Sequence, residues 1–285
     1  MPLSEIFNST TQCWETSTEE LVFTLTDRPV FSRRTIRSRG TVCWSAEYEG
    51  RQYIVKDYWR AEGRAREPES LKELVGIKGV GQMFTFNNDR ESIKTQRGFE
   101  DDEVMTSDSQ GTVLSRWLTR LVLPKYGETL AKVKSAHQLL CAVGDIVQGH
   151  RDSLADKGIL HRDISLDNLL LSPYEDACGV VIDWDLARKM DDLIAGHATE
   201  GDSRTGTRVY QSVKVLDGSP QLGDHDHMDD LESIYYVLYA VLYGYNSRGD
   251  VGHSPSLLLW TNPRHSPDAL SKLKHLFLVF PTAEP

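Results

Sequence analysis

The sequence predicts an α+β protein arranged in two layers or lobes. Alternating and β-branched stretches dominate the first part of the chain, and helical spacing of apolar residues dominates the second part. The turn sequence Pro124-Lys125-Tyr126-Gly127 lies between them and could join two lobes. Strands that come first and helices that follow are typical of α+β proteins.

The first predicted elements are a β-hairpin and a helix. Thr41 to Tyr48 and Gln52 to Val55 have strand composition, and Glu49-Gly50 between them is a turn signal. Arg60 to Val75 favours a helix, in which Pro68 must lie in the first turn or else break it.

A polar insertion interrupts the next predicted strands. Val80 to Phe86 and Trp117 to Leu123 are apolar enough to form strands. Residues 87–111 between them contain few apolar side chains and the acidic run Glu100 to Glu103. Such a segment buries too little surface to offset its ordering entropy, so we expect a mobile insertion.

The second half of the chain shows helical periodicity followed by short strands and further helices. The buried face of the first helix is predicted from the apolar positions Leu139, Val143, Ile146 and Val147. The remaining predicted elements are strands at Asn168 to Leu171 and Gly179 to Ile182, and helices at Ile234 to Leu242 and Ser266 to Phe277.

Composition excludes several classes of protein. The 285 residues carry a net charge of −10, which argues against nucleic-acid binding. The longest strongly apolar run, Ile234 to Tyr245, is shorter than the ~20 residues that span a bilayer. Met1 to Phe23 does not have the composition of a signal peptide, and the scattered cysteines suggest reduced, buried thiols. We therefore expect an intracellular protein, cytoplasmic or nuclear.

The strongest chemical signal is the segment His161-Arg162-Asp163-Ile164-Ser165-Leu166-Asp167-Asn168, which precedes Leu169 to Leu171. Asp183 follows the next apolar run. This spacing lets three oxygen-bearing side chains converge from two short hairpins. Asp163 could accept the proton of a substrate hydroxyl, and Asn168 and Asp183 could supply oxygen ligands to Mg²⁺.

These residues resemble the catalytic and magnesium-binding loops of eukaryotic protein kinases. Three further segments, Ile54 to Arg60, Gly206 to Tyr210 and His225 to Ser233, narrow the similarity to the fungal-type protein kinase family over roughly residues 33 to 280. The resemblance implies a two-lobed protein-kinase-like fold, with a small antiparallel β-rich N-lobe and a larger, mainly α-helical C-lobe. It implies an N-terminal extension at 1–32, an N-lobe at 33–124 with the insertion 87–111, and a C-lobe at 125–285 that is abbreviated at its C-terminus.

The resemblance also assigns roles to residues of the N-lobe. Lys56 matches the lysine that binds the α- and β-phosphates of ATP. Glu67 is expected to be its ion-pair partner, with Glu69 as the alternative because of Pro68. Gly40, Thr41 and Val42 would belong to the loop that covers the nucleotide.

In the C-lobe, the resemblance makes Asp163, Asn168 and Asp183 catalytic together with Lys56. Asp230 would be structural and would hold the backbone of the catalytic loop. Arg162 would pair with a phosphate on the segment between Asp183 and Tyr210, for which Ser203 and Thr205 are the expected acceptors.

The implied activity is transfer of the γ-phosphate of ATP, with Mg²⁺, to serine or threonine hydroxyls of a protein substrate. No nucleic-acid or membrane partner is expected, and the sequence leaves the oligomeric state open. Two other functions also stay open. A pseudokinase scaffold is favoured by the lone Gly40, by Ser165 where a lysine is usual, and by Lys214 where a glutamate is usual. A small-molecule phosphotransferase of the aminoglycoside or choline kinase type is favoured by the segment Val181 to Asp185, which resembles the metal-binding strand of those enzymes.

Overall fold

The structure is a computed structural model. It describes residues 4–8, 13–17, 21–33, 39–61, 66–87, 91–98, 115–174, 177–191, 206–218, 224–245 and 266–279. The chain divides into two compact units, Met1–Val75 with Gln82–Lys125 and Gly76–Gly81 with Tyr126–Pro285. The first unit is built on an antiparallel sheet and the second mainly on helices, so the predicted α+β class is confirmed.

The first unit contains, in its described residues, an antiparallel sheet of eight strands in the order β2-β1-β7-β8-β6-β5-β3, with β4 beside β5. The strands are β1 Ser4–Asn8, β2 Cys13–Ser17, β3 Thr24–Leu25, β4 Phe31–Ser32, β5 Val42–Tyr48, β6 Arg51–Ala61, β7 Thr85–Asn87 and β8 Arg116–Pro124. The helices of this unit are α1 Glu67–Glu73 and α2 Ile93–Gln96. The predicted hairpin is confirmed as β5 and β6, and a buried cluster around Tyr53 and Val55 packs on one face of the sheet.

Residues 1–32, expected to be an extension, contribute four strands to this sheet. Strand β1 pairs with both β2 and β7, and β3 and β4 both pair with β5. The described part of this segment therefore completes the sheet of the first unit.

Two predicted elements of this unit have different bounds in the structure. The helix expected over Arg60 to Val75 is limited to α1, because β6 continues through Ala61 to pair with Arg116. Pro68 occupies the first turn of α1, where its missing N–H costs no helical hydrogen bond. The strand expected over Val80 to Phe86 is also shorter, since only Thr85–Asn87 is paired as a strand.

The predicted insertion, 87–111, contains an ordered element in its described part. Helix α2 is capped by Ser92, whose hydroxyl accepts the backbone N–H of Thr95 at 3.0 Å. Ser92 is fully buried and bridges to Trp117 of β8. Residues 88–90 and 99–114, which include most of the expected mobile segment, lie outside the described residues.

The second unit is organised around the long helix α3. Its elements are α3 Ala136–Lys157, β9 Ile159–Leu160, β10 Leu169–Leu171, β11 Gly179–Val181, β12 Arg188–Lys189, α4 Val213–Asp217, α5 His227–Gly244 and α6 Pro267–Val279. Two antiparallel pairs form, β10 with β11 and β12 with β9. The buried face of α3 includes Leu139 and Ile146 as predicted, but Val147 is 37% exposed, so this position was assigned wrongly.

The last helices surround the segment that begins at Gly206. Helix α5 starts earlier than predicted because Asp226 and Asp229 form a capping box at its N-terminus. Helix α6 packs on α4, where the buried Leu270 clusters with Leu216, and Lys274 Nζ donates to the carbonyl of Gln211 at 2.6 Å. Among the described residues, Cys43, Cys141 and Cys178 are free thiols, but Cys43 and Cys141 are partly exposed and Cys178 is exposed, so their expected burial was wrong. No helix in the described part of the chain is long and apolar enough to cross a bilayer.

Candidate active site

Lys56 and Glu67 form a buried ion pair in the first unit. Lys56 lies in β6, and Glu67 is the first residue of α1. The Lys56 Nζ is 2.8 Å from Glu67 Oε2 and 3.0 Å from Oε1, and the two side chains are 8% and 1% exposed. Glu69, the alternative partner, is exposed and lies 3.6 Å from Arg66 instead. A buried carboxylate of this kind holds an ammonium group in one position, where it can meet an anion.

The segment Gly40 to Val42 precedes and begins β5 in the same unit. Gly40 has φ of +58°, a backbone conformation that side chains with a Cβ rarely adopt. A Cβ at this position would also lie 3.4 Å from the Trp59 ring. The carbonyl of Arg39 accepts the Trp59 N–H at 2.8 Å, which ties this segment to β6.

Asp163 and Thr207 are joined by two hydrogen bonds in the second unit. The backbone N–H and the hydroxyl of Thr207 donate to Asp163 Oδ1 at 2.7 and 2.8 Å. The close approach requires Gly206, because a Cβ there would lie 2.8 Å from the carbonyl oxygen of Arg162. Thr207 thus holds one carboxylate oxygen of Asp163, Oδ1, in a fixed position.

The electrostatic environment of Asp163 favours proton uptake. Burial and the neighbouring charge of Asp183 raise the pKa of Asp163, although the hydrogen bonds from Thr207 act in the opposite direction. A raised pKa makes the carboxylate a stronger base, which suits a residue that takes a proton from a hydroxyl group.

Asn168 and Asp183 are suited to a hard cation. Nδ2 of Asn168 donates to the carbonyl of Asp163 at 2.8 Å, so the amide oxygen is the atom available to a metal. Asp183 and Asp163 are close enough for their charges to interact, and a divalent cation would relieve that repulsion. Among the described residues no three His, Cys, Asp or Glu side chains form a metal-binding group. Mg²⁺, however, is usually held by one or two side chains together with substrate phosphates, and this pair of residues fits that pattern.

His161 links these two parts of the site through its ring. Its Nδ1 accepts the backbone N–H of Asp163 at 3.2 Å, and its Nε2 donates to the carbonyl of Ile182 at 3.0 Å. Full burial lowers the pKa of His161, which keeps the ring in the neutral form that both contacts need. The indole of Trp184 packs on the ring edge-to-face at 4.7 Å.

Asp230 of α5 supports the backbone of the segment that carries Asp163. Its carboxylate accepts the backbone N–H groups of His161 and Arg162, each at 3.1 Å. It also accepts hydrogen bonds from Nε2 of His150 at 3.1 Å and of His225 at 2.9 Å. Burial opposes ionisation, but the two histidines hold the pKa of Asp230 well below its ordinary value. Arg162 adopts φ of +69° at this point, a conformation that requires such external support.

Of the predicted regulatory residues, the structure describes only Arg162. Arg162 is buried beside Asp163, whereas Ser203 and Thr205 lie outside the described residues. Lys214, which stands where the resemblance expects a glutamate, contacts the start of α5. Its Nζ is 2.8 Å from both Asp226 Oδ2 and Asp229 Oδ2.

Sequence reasoning did not identify His150 and His225 as members of the site. His150 stands on α3 outside any motif, whereas His225 opens the segment His225 to Ser233, which supported the family resemblance but was given no role in the site. For His150 the available signal was its position four residues after Ile146 on α3, which also fits an ordinary core position. For His225 it was the position just before Asp229 and Asp230 in the recognised segment.

Comparisons with known proteins identify a family for the chain. The family model described as fungal protein kinase matches residues 4–242. The membrane-associated tyrosine- and threonine-specific cdc2-inhibitory kinase of Drosophila melanogaster is 36% identical over 74 residues, which is 26% of this chain. The match spans only 13% of the length of that relative.

Proposed function

The chain belongs to the fungal protein kinase family, and we propose that it transfers the γ-phosphate of ATP to serine or threonine hydroxyls of a protein substrate. The observation that carries the proposal is the pair of hydrogen bonds from Thr207 to one oxygen of Asp163. They leave the second oxygen to orient a hydroxyl group and to accept its proton.

Catalysis of this kind depends mostly on positioning and charge. Bound ATP would supply the phosphoryl group, and the Mg²⁺ bound with it would neutralise part of the phosphate charge. In the proposal, Asn168 and Asp183 hold the metal, and Asp163 aligns the substrate hydroxyl. The ring of His161 keeps the backbone of Asp163 at a fixed distance from the strand end that carries Asp183.

Lys56 and Glu67 have the second role in the proposal. The ammonium group of Lys56 would bind the α- and β-phosphates, and Glu67 would keep it in place when no nucleotide is bound. The burial of both groups and their contacts at 2.8 and 3.0 Å support this assignment. The segment at Gly40, Thr41 and Val42 would cover the nucleotide.

A transfer assay with one isosteric substitution tests the proposal. The protein would be incubated with γ-labelled ATP, Mg²⁺ and three peptide mixtures whose only hydroxyl residue is serine, threonine or tyrosine. We expect label in the serine or threonine mixture, and a loss of about 10²- to 10⁴-fold in Asp163→Asn, the usual contribution of a catalytic base. Asp167→Asn is the matched control, because Asp167 is an exposed carboxylate of the same loop.

The outcomes of this assay separate the alternatives. Undiminished transfer by Asp163→Asn would reject the role of Asp163. Label confined to the tyrosine mixture would reject the serine/threonine preference. Transfer to aminoglycosides or choline in place of any peptide would indicate a small-molecule phosphotransferase.

A nucleotide-binding scaffold without turnover is the second candidate function. It is favoured by Ser165, which is buried and neutral. Ser165 therefore offers no positive charge to stabilise the negative charge that develops on a transferred phosphoryl group. Binding of Mg²⁺-ATP without label in any acceptor, including the protein itself, would support this candidate.

A further inference from the structure

One face of α3 carries three side chains with acid–base or thiol chemistry outside the site described above. His137, Cys141 and Asp145 are separated by four residues each, a spacing that places them on the same side of a helix. Cys178 immediately precedes strand β11, and β11 packs along α3. Two thiols are therefore carried by elements that lie against each other.

The backbone around Cys178 lies directly on this face of the helix. The N–H of Cys178 donates to Asp145 Oδ2 at 2.5 Å. The next residue, Gly179, is so close to α3 that a Cβ there would lie 2.5 Å from the carbonyl oxygen of Ala142. Because Ala142 adjoins Cys141 and Asp145 lies one turn further on, the contacts place Cys178 over the helical turn that begins at Cys141.

Both thiols are accessible to a small oxidant. Cys178 is exposed and Cys141 is partly exposed, and both are unoxidised in the structure. Partial desolvation and the neighbouring Cys141 and Asp145 raise the pKa of Cys178, which keeps this sulfur in the less reactive thiol form.

Cys141 has a proton acceptor beside it. The Cys141 Sγ lies 3.7 Å from Nε2 and 3.8 Å from Nδ1 of His137, within hydrogen-bonding reach for sulfur. A neutral imidazole can take the thiol proton, and the thiolate is the form of cysteine that attacks peroxides. The two thiols are therefore not equivalent, and Cys141 is the one prepared to react first.

We propose that Cys141 and Cys178 form a reversible disulfide when the protein meets hydrogen peroxide. The Cys141 thiol gives its proton to His137, and its sulfur attacks one peroxide oxygen. The S–O bond forms, the O–O bond breaks, and the departing oxygen takes up a proton and leaves as water. Cys178 then attacks the sulfenic sulfur, the S–S bond forms, and the hydroxyl group leaves with a proton as a second water. Two thiols are oxidised by two electrons and one peroxide is reduced.

The bond would join α3 to the strand that leads to Asp183. Its formation requires no nucleotide and no catalytic turnover, so the proposal can be tested independently of the proposed function.

Mass spectrometry of the oxidised full chain tests the proposal. The protein would be treated with hydrogen peroxide, alkylated and digested without reductant. We expect a peptide pair joined through Cys141 and Cys178, lower in mass by two hydrogen atoms, which a thiol reductant separates. The double variant Cys13→Ser with Cys43→Ser, which keeps only the two proposed partners, should form the same pair to the same extent.

Two further measurements make the assignment specific. His137→Gln should form the disulfide several-fold more slowly at neutral pH, because the thiol loses its proton acceptor; an unchanged rate would overturn this role of His137. Oxidation of Cys141 or Cys178 to sulfinic or sulfonic acid without the joined peptide would overturn the proposal. A disulfide between either of these thiols and Cys13 or Cys43, formed instead of the Cys141–Cys178 bond, would also overturn the proposal.

Discussion

Replacing Asp230 with asparagine should strongly destabilise the second unit, although the two side chains have the same shape. The carboxylate accepts hydrogen bonds from four donors, namely two backbone N–H groups and two histidine rings. An amide has one acceptor oxygen with two lone pairs, so at least two buried donors lose their partner. At about 1–3 kcal/mol for each unsatisfied buried donor, the expected loss is about 2–6 kcal/mol.

Chemical and thermal unfolding measure this loss. A lower urea midpoint with an unchanged slope would show that stability has changed and that the unfolded state has not. At about 2–4 °C for each kcal/mol in a chain near this size, the melting temperature should fall by roughly 10 °C. Asp224→Asn is the matched control, because Asp224 is an exposed aspartate that precedes the same helix. If Asp230→Asn stayed within about 0.5 kcal/mol of the wild type, like an ordinary surface substitution, Asp230 would not be the support of this loop.

Four further predictions follow from the site and its surroundings. Asp183→Asn should abolish phosphoryl transfer while leaving the melting temperature unchanged, and full activity with Mg²⁺ as the only metal would contradict the assignment. Lys56→Met should lower both the affinity for ATP and turnover, measured by nucleotide titration and by peptide phosphorylation; wild-type values for both would make Lys56 a structural residue. Ser203→Ala combined with Thr205→Ala should lower turnover at least tenfold, which corresponds to about 1.4 kcal/mol of activation barrier. Turnover equal to that of the wild type, with no phosphate found between residues 183 and 210, would reject phosphoregulation. Burial lowers the pKa of Lys274 to about 7, well below its value in the unfolded chain. Between pH 7 and ~10.4 the unfolded chain binds a proton at Lys274 that the folded chain does not bind, so the free energy of unfolding should rise with pH more steeply than that of Lys274→Met. Urea midpoints of the two proteins that run parallel from pH 7 to 9 would refute this role of Lys274.

The candidate catalytic segment could be recognised because Asp163 and Asn168 lie close together in the sequence. Asn168 follows Asp163 by five residues, and its side chain donates to the Asp163 carbonyl at 2.8 Å. The contact of Thr207 with Asp163 instead joins two segments that are far apart in the sequence. The β5–β6 hairpin was equally accessible, since both strands and the Glu49-Gly50 turn lie within one short stretch.

The elements that escaped prediction depend on pairing across long stretches of chain. Strand β1 is held by β7, which lies far along the sequence, and nothing in Ser4–Asn8 alone indicates that partner. The continuation of β6 through Ala61 likewise depends on Arg116 to Leu118 of β8. The histidines that contact Asp230 were missed for the same reason, because His150 reaches the Asp230 carboxylate only after α3 and α5 have packed together.

The neutral ring of His161 makes the stability of the second unit depend on pH. The ring cannot take up a proton without losing the acceptor that holds the Asp163 N–H, and burial lowers the pKa of His161 accordingly. Once the pH falls below the ordinary histidine value of about 6.5, the unfolded chain binds the proton more readily than the folded chain, and stability falls. Acid should therefore reduce the number of folded molecules, while in each molecule that remains folded the neutral His161 ring keeps its contact with the Asp163 N–H.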